Sequence, residues 1–148
     1  VPYAEVKGID MAKNEGFSAE ERAAMKEYAK ELKAKAENAD LAKLMAEKIA
    51  ELDEPDRGIA QRLHELITEA VPELAPKTYY GMPGWAKGGK VLVFFQPASK
   101  FKTRYGTLGF QDSAQLDDGP FWPSAFALTD LTPDVEKAVV ALVKKAAG

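Results

Sequence analysis

The hydrophobic period of this chain changes twice, and the order of those changes constrains the fold more than any single motif. Up to Pro72 the apolar residues recur at helical spacing. From Lys77 to Leu128 they form short β-branched and aromatic runs, and from Thr132 the helical spacing returns. Helices first, strands together and then one helix predict an α+β domain, an antiparallel β-sheet meander with helices packed on it and an extra N-terminal helix pair. At 148 residues the chain can bury one sizeable core. A single domain is therefore expected over residues 18–148, with residues 18–56 as the N-terminal helix pair and 57–148 as the core. Residues 1–17 read as a leader or disordered tail, because "VPYAEVKGID" carries neither periodicity nor a cap.

Local signals sharpen the helices. Ser18 with Glu21 three residues on forms a capping box, and Phe17 is placed to act as its hydrophobic staple. Met25, Tyr28, Leu32 and Ala36 then mark one helical face. Asn38 and Asp40 are expected to interrupt it before a second amphipathic segment built on Leu41, Leu44, Met45, Ile49 and Leu52. Asp56 is placed to cap a third helix with Ile59, Leu63, Leu66, Ile67 and Ala70 inside, ended by Pro72. At the far end Thr132 caps and Pro133 occupies the first helical position, with Val135, Val139, Leu142 and Val143 facing inward. Between these helices "TYYG", "GWA", "KVLVFFQ", "FKTRY", "TLGF" and "FAL" read as strands separated by Gly, Pro and Asp.

Composition removes several function classes. There is no cysteine, which excludes disulfides, thiolate metal sites and cysteine nucleophiles, and there is one histidine, His64. His64 reads as a partly exposed helix residue. No apolar run reaches the length of a membrane span, so no membrane partner and a cytoplasmic location are expected. No serine lies in a nucleophile elbow, and "KGGKV" leads into a strand, the wrong setting for a phosphate loop. A non-catalytic role is the expectation that remains.

Charge is unevenly distributed. Every charged residue from Leu74 to Gln111 is positive, namely Lys77, Lys87, Lys90, Lys100, Lys102 and Arg104, so the net charge of -3 leaves nine excess negative charges elsewhere. Lys100, Lys102 and Arg104 form a candidate anion-binding set. Strand alternation would place Lys102 and Arg104 opposite Phe101 and Tyr105, which disfavours nucleic acid stacking there. Asp112, Asp117 and Asp118 in "QDSAQLDDG" are the candidate metal ligands, although they do not match a calcium loop and turn formation also accounts for them.

The aromatic stretch 78–96 offers the main binding candidates. In "VLVFFQ" alternation sends Val91, Val93 and Phe95 to one face and Leu92 and Phe94 to the other, so both faces are apolar and the second needs a cover. Most of these rings read as core. Tyr79, Tyr80, Met82, Trp85 and Trp122 are the candidate ligand-binding residues, since they lie beside Gly or Pro turns and the aromatic ones combine an apolar body with a polar handle.

The motifs "YYGMPGW", "VLVFF", "RYGTLGF", "AQLDDGPFWPSAFAL" and "LVKKA" together resemble the YdhG-like family of bacterial domains of unknown function (domain of unknown function 1801), over roughly residues 57–148. One branch of that family is described as a frataxin-like iron chaperone, so the resemblance implies iron as a possible cofactor and iron binding as an alternative role. On the first helix, Glu27 and Glu31 are answered by Lys30 and Lys35, a balanced face rather than an acidic ridge. The reading that follows is a binding domain for a small molecule or a protein partner, monomeric or homodimeric. Iron binding and anion or nucleic-acid binding through a basic sheet surface are its alternatives.

Overall fold

The structure, a computed structural model, describes residues 18–148, so the expected leader at 1–17 and the Phe17 staple lie outside the described residues. The elements run α1 (Ala19–Ala50), α2 (Asp56–Ala70), β1 (Ala75–Pro76), β2 (Gly84–Lys87), β3 (Lys90–Gln96), α3 (Ala98–Phe101), β4 (Gly106–Phe110), β5 (Ala125–Leu128) and α4 (Pro133–Ala147). The fold is α+β, with two helices ahead of the sheet. Two compact units divide between Ala39 and Asp40.

In the first unit Ser18 opens α1. Its Oγ accepts the Glu21 amide at 3.1 Å and donates to the Glu21 carboxylate at 3.2 Å, so the expected capping pair is formed. Glu27 and Lys30 pair at 3.6 Å on an exposed face. The interruption expected at Asn38 and Asp40 is absent, and the helix runs to Ala50. Asn and Asp each cost roughly 0.5 kcal/mol inside a helix, whereas stopping there would require a second unfavourable nucleation. The break falls at residues 51–55 instead, where Pro55 removes a backbone donor.

Within the second unit the strands lie in the order β1-β2-β3-β4-β5, each antiparallel to the next. Gly88 and Gly89 join β2 to β3 with φ of 59° and 81°, the all-positive pattern of a two-residue hairpin turn. Two expected strands take other forms. "FKTRY" contains the end of α3 and a turn closed by Lys102 in the left-handed region at φ 55°. "TYYG" is a tight turn, in which Tyr79 and Met82 exchange backbone hydrogen bonds of 2.8 and 2.9 Å.

A β-bulge corrects the expected facing of β3. Trp85 pairs with Val93 and Ala86 with Val91, leaving Leu92 as the extra residue. Leu92, Val93 and Phe95 consequently share the core, joined by Trp85, Leu108, Phe110 and Leu128. Val91 is left beside Gly84 and Phe94 on the opposite face. Simple alternation fails because two consecutive residues of the bulged strand oppose one partner residue.

Helices of this unit pack on the core face. Met45 and Ile49 near the end of α1, Ile59, Leu63 and Ile67 of α2, and Val139 and Val143 of α4 all join the same cluster. Arg62 clamps α2 to α4 with a two-pronged bond to Glu136, at 2.8 and 2.9 Å, and also reaches Glu65 at 3.0 Å. The guanidinium holds the Glu136 carboxyl below its ordinary range. Thr132 caps α4 by accepting the Val135 amide at 3.3 Å, behind Pro133. Asp56 does not cap α2 as expected. Glu54 accepts the Gly58 amide at 2.9 Å, while buried Asp56 accepts the Ser99 amide at 2.9 Å and the Ser99 hydroxyl, tying α3 to the start of α2.

Candidate functional site

The candidate site is a cleft of about 480 Å³ on the sheet face opposite the core cluster of the second unit. Residues 77–80 form one wall, residues 89–91 the other, and Gln111 and Asp112 close the end. Each wall comes from a local sequence signal. The first follows from the Tyr80-Gly81 turn, whose central residues both have positive φ, 49° and 78°. The second follows from the Gly88-Gly89 hairpin and from the bulge, which turns Val91 away from the core.

Gly84 lets the walls approach the sheet. A Cβ there would stand 2.5 Å from the Lys77 carbonyl oxygen and 3.5 Å from both the Tyr79 Cβ and a Val91 methyl. Gly109 acts likewise on β4, where any side chain would run into the Phe94 ring. Phe94 and Tyr79 have centroids 4.9 Å apart, and the Tyr80 ring meets Tyr79 edge-on at 4.7 Å and 77°. The three rings therefore run from half-buried Phe94 to Tyr80, which is 85% exposed.

Electrostatics favour an anion. Lys77 Nζ donates to the Gly89 carbonyl at 2.6 Å and pairs with no carboxylate among the described residues. Lys90 meets Asp112 at 3.6 Å with both side chains open to water, a weak pair. The cleft lining thus carries two cations and one acid.

Of the expected ligand-binding residues, the cleft brings together Tyr79 and Tyr80. Met82 is buried, and Trp85 is fully buried in the core. Trp122, 37% exposed, lies in the segment between β4 and β5 and does not line the cleft. Asp112 lines the cleft, whereas Asp117 and Asp118 are exposed elsewhere in the same connection. No group of three or more Asp, Glu or His side chains able to hold a metal ion occurs among the described residues.

Lys100, Lys102 and Arg104 do not share a strand face. Lys100 Nζ donates to the Gly81 carbonyl at 3.2 Å, Lys102 ends α3, and the Arg104 guanidinium lies 5.1 Å from the Tyr105 ring centroid. Charge and ring meet at residues 104–105 because the chain turns there and alternation no longer applies.

Sequence reasoning missed Lys77, Thr78, Gly89, Lys90, Val91 and Gln111 as cleft residues. The acid-free run that includes both lysines was the available signal. It also missed the partner of Trp85, whose Nε1 donates to His64 Nδ1 at 3.1 Å with the rings stacked at 6.3 Å. Burial pushes the His64 pKa below its ordinary 6.5, against a smaller opposing pull from Glu65. Helix periodicity gives no sign of this bond, since the partners are 21 residues apart.

No helix among the described residues is long and apolar enough to cross a membrane. No family model matches the chain, and neither a curated protein nor a solved structure matches it significantly.

Proposed function

We propose that this chain is a non-catalytic binding domain whose small-molecule ligand occupies the cleft beside the Tyr79-Tyr80 turn. The supporting observation is the combination of an open 480 Å³ space with an exposed ring, Tyr80, at its rim and, in its wall, a lysine that pairs with no carboxylate among the described residues. The YdhG-like resemblance belongs to the same reading as a proposal of kinship. An amide-shift screen of isotope-labelled protein against mixed small fragments tests it. Saturable shifts clustered at residues 77–80, 89–91 and 111–112 are expected, and hits confined to other surfaces would overturn it.

A second reading, anion or nucleic-acid binding at Lys100, Lys102 and Arg104, draws support from Arg104 lying over the exposed Tyr105 ring. It requires oligonucleotide binding that weakens steeply with salt. Salt-independent or absent binding would remove it.

A further inference from the structure

Two turns of this sheet solve the same geometric problem with different residues. Residues 88–89 reverse the chain with Gly-Gly, and residues 80–81 do so with Tyr-Gly, all four at positive φ. Turns of this type favour Asn or Gly at the first central position, because a Cβ in the left-handed region crowds the following carbonyl. Tyr80 accepts that strain while 85% of its surface remains in water, so burial within the chain does not offset it. Among the described residues its ring neighbour is Tyr79, in a T-shaped pair at 4.7 Å and 77°. A largely exposed aromatic ring is thereby held at the rim of a cleft whose opposite wall carries Lys90 and whose own wall carries Lys77.

We infer that the cleft takes a ligand with a flat unsaturated ring bearing an anionic group, the ring stacking on Tyr80 and the anion meeting Lys77 and Lys90. This rests on the binding-domain reading above and narrows its ligand class. Stacking suits Tyr80 because ring faces attract one another when offset, and the adjoining apolar surfaces of Tyr79 and Val91 extend the contact. The anion follows from charge. Among the described residues Lys77 is bonded only to a carbonyl, Lys90 meets its acid loosely, and the chain carries no acid from Leu74 to Gln111. A neutral sugar would leave that positive potential unused, and a cationic ring would be repelled by it.

Three probes separate the components of this inference: 2-naphthoate, its neutral analogue 2-naphthamide, and cyclohexanecarboxylate, which keeps the charge but lacks the flat ring. Amide-shift titrations at moderate salt should show 2-naphthoate saturating residues 77–80 and 89–91, about fivefold tighter than either control. Tyr80→Asn should weaken 2-naphthoate about tenfold while leaving the denaturation midpoint unchanged or higher, since Asn-Gly suits the turn. Lys77→Gln should abolish the advantage over the amide. Equal binding of acid and amide would overturn the inference. So would a Tyr80→Asn variant that loses stability but keeps affinity. If other fragments fill the cleft and 2-naphthoate does not, this inference fails while the binding-domain reading stands. If nothing enters the cleft, both fall.

Discussion

The two faces of the sheet carry aromatic residues drawn from one short stretch of sequence and put them to opposite uses. On the helix-covered face Trp85 and Phe95 are fully buried, and even the indole N–H has a partner in His64. On the other face Phe94, Tyr79 and Tyr80 grade from half-buried to exposed above a floor of Gly84 and Gly109. Phe94 and Phe95 are neighbours in sequence and differ only in which way the pleat turns them. Residue type therefore says little about the role of a ring here. What lies across from it decides, either helices or the cleft floored by glycines.

Four perturbations would break or sharpen this contrast. The largest effect is expected from Phe95→Ala on the core face, which should cost about 3–5 kcal/mol because a fully buried ring leaves a cavity. Urea denaturation measures it, and a loss under 1 kcal/mol would mean that this face is not the main core. Gly84→Ala should cost about 1–3 kcal/mol, since the new methyl meets backbone that cannot swing aside. Its amide shifts should centre on residues 77–80, and a silent substitution would remove Gly84 as the floor of the cleft.

His64→Phe should cost about 1–3 kcal/mol by leaving the buried Trp85 N–H without a partner. The same residue gives a pH signature. Because the folded-state pKa of His64 lies below 6.5, the unfolded chain binds the extra proton first, and the His64 contribution is complete above pH 6.5. It is lost as pH falls from 6.5 through the folded value. Glu136, held low by Arg62, adds stability that is retained above its ordinary 4.5 and lost only in stronger acid. Denaturation midpoints followed from pH 8 to pH 3 should therefore decline in two stages, and His64→Phe should abolish the upper stage alone. The smallest effect belongs to Tyr80→Asn, a gain of about 0.5 kcal/mol through relief of the left-handed turn. A clear loss would place Tyr80 with the structural rings.

Much of the architecture was legible in the residues. The two changes of period marked the α+β order, the Ser18 and Thr132 caps marked two helix starts, and the glycines between "GWA" and "KVLVFFQ" marked the break between β2 and β3. These are local effects, in which the backbone partner lies within a few positions of the side chain that signals it. Of the candidate cleft, Tyr79 and Tyr80 had been expected as ligand-binding residues and Asp112 only as a metal ligand, while Met82 and Trp85 went to the interior and Trp122 to a different region of the surface.

What the sequence determined by itself, then, was the succession of helices and strands and the absence of thiol chemistry, because periodicity, caps and turn residues act over one or two turns of chain. Only the tertiary structure decided which face each ring would occupy. The extra residue at Leu92 reverses the facing of Val91, and the buried carboxylate of Asp56 is claimed by Ser99, 43 residues away. A bulge or a distant hydrogen-bond partner depends on how neighbouring strands and helices pair, and that choice is made by packing across the whole sheet rather than by the residues on either side.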